Sequence, residues 1–365
     1  MPPLGLSAVV RKVLGRKTFA PAAQAPPMVA PLARYRPRPH DAVLVLQNGP
    51  NPSTDYYLRP RLEGAETPVA FADLDTTPGR CELLGRARSL MVVFCRYAAV
   101  PWLEALEAAQ DRLARVAFFM DDDLPGMIAA PDLPRDYRRR LSRRFGEHAL
   151  QLSGVASEVW VSTPTLAQRY AGSRPQVLPP LPDEDPPAPS ADARPRVVYH
   201  STGVHGPERR FVVEVARRLA EAGSPAVFEI TGDAPIRRAC AGLAKVEVVP
   251  QLSWPTYLER QRRAVAAISL APLHPSAINE ARAPVKAFEA ARLGAAGLYA
   301  DTAPYRGFVR QGEDGLMLPM EVEAWARAIA DLLDQPQRRM ALATAARTRM
   351  IQLRRDGGPL PPPAT

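Results

Sequence analysis

Short runs of consecutive apolar residues alternate along this chain with longer stretches in which apolar and charged residues recur at helical spacing. Ala42 to Leu46, Thr67 to Ala72, Leu90 to Phe94 and Val116 to Met120 predict buried strands. Val100 to Leu113 carries a helical period, and Tyr137 to Leu152 predicts one strongly basic helix. Glu158 to Val161 is a further strand, after which Thr163-Pro164 supplies an N-cap and a first-turn proline. Gln176 to Leu178 closes this series, and a Pro-, Asp- and Ala-rich stretch from Pro179 to Pro195 follows. A second series then begins. Its strands are Arg196 to Tyr199, Ala226 to Thr231, Val246 to Val249 and Val265 to Ala271, with a short apolar run at Gly297 to Ala300. Its helices are Glu208 to Ala222, Trp254 to Arg263, Pro284 to Leu293, Val322 to Leu333 and Gln337 to Leu353.

Strand and helix in alternation predict parallel sheets covered on both faces. Two such series predict an α/β chain of two doubly wound, Rossmann-like domains facing a cleft. The expected division is a flexible leader over 1–40, a first domain over 41–182, a linker over 183–195 and a second domain over 196–335. A C-terminal helix over 336–353 and a tail over 354–365 complete it. The 365 residues suit two domains of about 150 residues each. No apolar run approaches the roughly 20 residues of a membrane span. Leu4 to Leu14, with Arg11, Lys12, Arg16 and Lys17, reads as a frayed surface helix or as a basic amphipathic helix on an anionic membrane.

Charge and composition narrow the chemistry. The net charge is +9, and arginine supplies nearly all of the positive charge; the lysines are Lys12, Lys17, Lys245 and Lys286. This skew lowers the weight of any one arginine and raises that of Lys286. Cys81, Cys95 and Cys240 lie far apart and make neither a metal spacing nor a disulfide framework, which suits a reducing cytoplasm. The five histidines form no His-x-x-x-His pair. No P-loop, dinucleotide fingerprint or Gly-x-Ser-x-Gly elbow is present, nor is there a nucleic-acid-binding signature.

The segment with the most chemistry runs from Asn279 to Glu289. Asn279, Arg282, Lys286 and Glu289 are spaced by three, four and three, offsets that on a helix bring residues onto neighbouring turns of one face. Cations beside a carboxylate at a helix start suit a ligand with phosphates and a ribose. Upstream, Ser201, Thr202 and Gly203 leave a strand and could offer N–H groups to a diphosphate.

These residues resemble the donor motif of group 1 glycosyltransferases of GT-B fold, in a bacterial branch reading Asn-x-x-Lys/Arg-x-x-x-Lys-x-x-Glu. The resemblance implies that Glu289 binds the donor ribose and that Lys286 and Arg282 hold the diphosphate. The wider family has another glutamate eight positions earlier; here that position is Ala281, and Glu280 stands one residue away. Ser201 to His205 resembles the branch's Gly-Thr-x-x-His segment, Gly232 its Gly loop near the donor, and Pro250-Gln251-Leu252 the flank of the nucleotide base. Arg209 and Arg210 stand near the family's distant Arg and Lys pair.

Asp121-Asp122-Asp123 has three readings: a divalent-metal site, a solvated turn with an N-cap, or the acceptor-side function that the resemblance implies for an Asp-Asp pair, here Asp121 and Asp122, facing the cleft. Asn48 to Thr54 reads as a turn or as a loop facing the donor. Arg138, Arg139, Arg140, Arg143 and Arg144 form a solvated basic face or a membrane-facing one. The resemblance implies transfer of a sugar from a nucleotide-sugar donor to a glycan or lipid-linked acceptor, with retention and no metal cofactor. It further implies cell-envelope synthesis in the cytoplasm or on the inner face of the plasma membrane. A metal-dependent transferase using Asp121 to Asp123, and a non-catalytic relative that binds sugar nucleotides, are the rival readings.

Overall fold

The computed structural model of the chain describes residues 25–35, 38–190 and 195–363. Two six-stranded parallel sheets form its frame. The first comprises β1 (Ala42–Gln47), β2 (Val69–Asp73), β3 (Leu90–Cys95), β4 (Leu113–Met120), β5 (Glu158–Val161) and β6 (Gln176–Val177), in the order β2-β1-β3-β4-β5-β6. The second comprises β7 (Arg196–Tyr199), β8 (Val227–Thr231), β9 (Val246–Val249), β10 (Ile268–Ala271), β11 (Ala296–Ala300) and β12 (Leu316–Leu318). Its order is β12-β11-β10-β7-β8-β9. These are the two doubly wound parallel sheets that the alternation predicted.

The central strands read as unbroken apolar runs because helices cover both faces of each sheet. Alternation nevertheless sorts their side chains. Leu44, Leu46, Val92, Phe94, Phe118 and Met120 enter one core with the Val100–Ala108 and Ala149–Val155 helices. Val43, Val45, Met91, Val93 and Phe119 face the other way, toward Tyr56 and Tyr57. That second core runs on into the other half of the molecule, where the Tyr56 ring meets Trp254 and Phe288 edge-on, with centroids 5.6 and 5.5 Å apart.

Several local expectations change. The basic helix is not continuous over 137–152. It runs Arg135–Arg144, breaks at Phe145 and Gly146–His148, and resumes as Ala149–Val155. Phe145 leaves helical geometry at φ −128° and stacks on Phe118 in the core. The Val100 helix stops at Ala108, and Leu113, expected at its end, instead opens β4. Residues 25–35, expected to belong to a flexible leader, lie against the first half. Val29 is fully buried, and the Ala30 N–H and Tyr35 hydroxyl donate to Ser153 Oγ and the Val155 carbonyl. The Leu4 to Leu14 helix lies outside the described residues. After the Pro336–Arg355 helix the tail returns to the first half, where buried Arg115, paired with Glu158, donates to the Pro361 carbonyl at 2.7 Å.

In the second sheet the chain turns back across the sheet between β7 and β10, and in the first between β1 and β3. The loops leaving these strands border the cleft, where ligands of doubly wound sheets bind.

Candidate functional site

β7 delivers His200 to one wall of the cleft, and the Val285–Arg292 helix presents Lys286 and Glu289 one turn apart on the same face. Lys286 Nζ donates to the His200 carbonyl at 2.7 Å and to Glu289 Oε2 at 2.6 Å. The Trp254–Arg263 helix adds Tyr257, whose hydroxyl donates to Glu289 Oε2 at 2.8 Å and accepts from Gln261 Nε2 at 2.6 Å. The His200 ring reaches Glu229 Oε1 through Nε2 at 2.8 Å. His200, Tyr257, Lys286 and Glu289 line a cavity of about 260 Å³, with Val249, Pro250, Leu252 and Trp254 as its apolar wall.

Electrostatics fix the protonation of Glu289, Tyr257 and Glu229. Burial pushes the Glu289 carboxyl up, but Lys286 and the Tyr257 hydroxyl outweigh it and hold Glu289 below the usual range. Burial and the Glu289 charge push the Tyr257 phenol far up, so it stays a donor. Glu229 falls to about 2 despite burial, because His200 and Arg260 both bind its carboxylate. An ionised carboxylate beside an ammonium, on the edge of an apolar cavity, can accept sugar hydroxyls while the cation faces phosphate oxygens.

The loop after β7 holds the other donor-side candidates. Ser201 and Thr202 line the cavity, and the exposed Gly203 N–H donates to Gln251 Oε1 at 3.1 Å. Arg209 is buried behind the loop and donates to Ser201 Oγ at 3.0 Å and to the Ser201 carbonyl at 3.1 Å. It therefore shapes the loop, whereas Arg210 is exposed. His205 precedes the Gly206–Glu221 helix; burial and the nearby Arg282 push its imidazole down, so it is neutral. Gly232 is a packing glycine. A Cβ there would come within 2.7 Å of Ile236 and 2.8 Å of Val248, and the preceding Thr231 is the residue that faces the cavity.

The segment from Asn279 to Glu289 is not one helix. Asn279 closes a turn of helix, Ala277–Glu280, capped by Ser276; a loop with Pro284 separates it from Val285–Arg292. Proline cannot continue a helix and disfavours helical geometry before it, so the even spacing splits into two pairs. Asn279 Oδ1 accepts from Arg282 Nε at 3.0 Å, while Lys286 and Glu289 form the other pair. Glu280 is exposed, and its side chain makes no hydrogen bond or ion pair among the described residues. Ala281 is buried in the core of the first half, and its carbonyl accepts from Thr163 Oγ1 at 2.9 Å.

Across the cleft, β4 ends at Met120 and presents Asp121 and Asp122. Arg96, which follows β3, binds both: Nη1 lies 2.6 Å from Asp121 Oδ1 and 3.0 Å from Asp122 Oδ2. Its φ of +69° is left-handed, a strained position for an arginine. Ser53 Oγ donates to Asp121 Oδ2 at 2.6 Å. Arg282 Nη1, from the other half, reaches Asp122 Oδ1 at 3.3 Å. The pair is thus differentiated. Burial and the charge of Asp122 push Asp121 up against Arg96; Arg282 and Arg96 overcome burial and hold Asp122 down. Asp123 turns away, caps the Leu124–Ala129 helix and is held by Arg169 and Tyr170, which is the structural role. Among the described residues no group of three His, Cys, Asp or Glu is placed to hold a metal.

Of the Asn48 to Thr54 segment, Pro52 lines the cavity and Asn51 caps the Pro52–Tyr57 helix. Thr163 caps its helix as expected. On the basic helix Arg144 pairs with Asp75 and Arg138 bonds the Leu133 carbonyl, whereas Arg139, Arg140 and Arg143 are exposed. Among the described residues no helix is long and apolar enough to cross a membrane.

Sequence reasoning missed Arg96, Trp254 and Tyr257, and named Ser53 only as part of the 48–54 loop. Arg96 carried a signal, as a lone cation immediately after a buried strand of a predicted parallel sheet. Trp254 and Tyr257 carried another, as aromatics one turn apart at the start of a predicted helix.

No protein-family model matches the chain, and no curated protein matches its sequence. Solved structures do match its fold. HepE of Anabaena, crystallised in complex with UDP and glucose, superposes with a TM-score of 0.54 at 13% identity, covering 86% of this chain and 95% of that one. Sucrose-phosphate synthase of Thermosynechococcus elongatus gives 0.53 at 14%, covering 86% and 94%. The pneumococcal O-GlcNAc transferase GtfA, in complex with UDP and GlcNAc, gives 0.50 at 12%, covering 74% of this chain and 55% of that one. At such identities the likeness is one of fold, and that fold is the GT-B fold of glycosyltransferases.

Proposed function

We propose that this chain is a glycosyltransferase that moves a sugar from a nucleotide-sugar donor to an acceptor hydroxyl. The carrying observation is the Lys286–Glu289 face with Tyr257, bordering an apolar-walled cavity at the carboxyl end of β7. Glu289 binds the ribose, Pro250, Leu252 and Trp254 wall the base, and Lys286 with the 201–203 loop takes the diphosphate. Developing charge on the leaving diphosphate is met by Lys286 and Arg282, the electrostatic contribution on which such catalysis depends. Asp122 receives the acceptor hydroxyl, and Asp121, enclosed by Arg96 and Ser53, keeps it in place.

Neutralisation by side chains rather than by a bound metal is supported by the arginine partner that each of Asp121, Asp122 and Asp123 already has. Retention of configuration rests on the motif resemblance alone, and the anomeric signal of the product decides it. The exposed Arg139, Arg140 and Arg143 support an anionic membrane as the source of a lipid-linked acceptor; flotation that ignores anionic lipid would refute this.

Calorimetric titration with UDP, GDP and ADP, followed by turnover of the matching sugar nucleotides, tests the reading. One nucleotide should bind, and K286A and E289A should each lose about 100-fold or more in transfer. Absence of binding to all three, or wild-type turnover by either variant, would refute it. A second reading, a sugar-nucleotide-binding relative without turnover, is favoured by the burial of Ala281 and the exposure of Glu280, which leave Glu289 as that segment's carboxylate at the cavity. Tight binding without turnover would select it.

A further inference from the structure

The donor motif is fastened to the opposite wall of the cleft. Arg169 Nη2 donates to the Ala277 carbonyl at 2.7 Å and Thr163 Oγ1 to the Ala281 carbonyl at 2.9 Å. Ile278 and Ala281 pack into the core of the first half. At the end of this clasp, Arg282 Nη1 lies 3.3 Å from Asp122 Oδ1. Lys286, four residues on, lines the donor cavity, whereas Arg282 does not.

We propose that Asp122 is a built-in competitor of the donor diphosphate for Arg282, so that capture of Arg282 by the donor and release of Asp122 to the acceptor hydroxyl are a single exchange. The proposal rests on the reading of the Lys286–Glu289 face as the donor site. It makes Asp122 a positioning residue for the donor as well as a contact for the acceptor.

Charge pairing makes the exchange feasible. When Arg282 leaves, Asp122 keeps Arg96 Nη1 at 3.0 Å, so no buried carboxylate is stranded. Arg282 keeps the Asn279 Oδ1 contact at 3.0 Å, which holds its stem in place while its outer nitrogens turn. A diphosphate offers a guanidinium more charge and more acceptor oxygens than one carboxylate, so it wins the competition when bound. Because coupling is reciprocal, whatever hold Asp122 has on Arg282 must weaken the donor by the same factor.

The test is titration of the full chain with UDP, GDP and ADP, in wild type and in D122N, R282Q and the double variant. D122N should bind the preferred nucleoside diphosphate roughly 5- to 10-fold more tightly than wild type, at the lower end of the usual range of coupling factors. R282Q should bind it more weakly, and D122N should bring no gain in the R282Q background, since Asp122 acts through Arg282. T163V, which unhooks the same segment without altering charge, should tighten binding in the same direction and provides a second route if D122N does not fold. Unchanged or weaker binding by D122N, or by T163V in its place, overturns the exchange. So does a D122N gain that persists in R282Q, which would reduce the effect to general charge repulsion. Failure of wild type to bind any of the three nucleotides overturns the donor site itself, and the exchange with it.

Discussion

The two faces of the cleft use the same chemistry in opposite ways. On the face proposed to take the donor, a carboxylate, a lysine and a tyrosine hydroxyl stand around open volume, and each has a neighbour that fixes it without filling the cavity. On the face proposed to take the acceptor, two carboxylates close on an arginine, a serine and a second arginine borrowed from the opposite face. One wall is preorganised for a ligand, and the other is satisfied by its own charges until a partner is exchanged. A buried network must have every member paired, so the acceptor face can open only where a replacement partner arrives.

Arg96 is the sharpest point of that contrast, and removing it has the largest expected effect on stability. R96A would leave Asp121 and Asp122 facing one another with Arg282 as their remaining arginine. With side chains 13% and 18% exposed, the two carboxylates are nearly buried, and the loss should be about 2–4 kcal/mol in urea denaturation at neutral pH. R96G should recover about 1 kcal/mol of it, because glycine accepts the left-handed backbone that alanine resists. Equal stability of the two variants would show that φ carries no strain, and a loss below about 0.5 kcal/mol, the range of ordinary surface substitutions, would show that the acid pair stands without Arg96.

The donor face should announce itself in acid. Glu229 titrates near 2 in the folded chain against an ordinary 4.5. The unfolded chain therefore binds more protons between these values, so the stabilisation is complete above about 4.5 and is lost as pH falls toward 2. E229Q should flatten this part of the stability profile while lowering stability at neutral pH, where His200, Arg196 and Arg260 lose their shared anion. An acid limb identical in wild type and E229Q would remove Glu229 from the network that supports His200.

How much of this was legible follows from what each signal depends on. Strands buried on both faces write themselves as apolar runs, so β1, β3, β4 and β5 were readable to within a few residues, and two alternating series sufficed for the fold. Lys286 and Glu289 were readable because their spacing lies within one helix. Asn279 and Arg282 share the spacing but precede that helix, and spacing alone cannot see the break at Pro284, although proline itself announces it. The pairing of Arg96 with Asp121 and Asp122, and of Arg282 with Asp122, joins separate strands and separate halves of the chain. No local pattern encodes such contacts. The break at Phe145 was hidden for a related reason, since its cause is the ring of Phe118 on another element.

The smallest effect is expected at Glu280, and it decides what replaces the glutamate that the family motif places at position 281. One residue along a helix is a rotation of about 100°, enough to turn a side chain from the cleft to solvent. Ala281 takes the inward direction and is 1% exposed, while Glu280 is exposed. E280A should therefore keep transfer within about two-fold of wild type and stability within about 0.5 kcal/mol, as for surface positions without partners. A loss of ten-fold or more in turnover would mean that the Ala277–Glu280 helix rotates on donor binding and carries Glu280 into the cleft. The clasp through Thr163 and Arg169 would then have to open fully, rather than give up Arg282 alone.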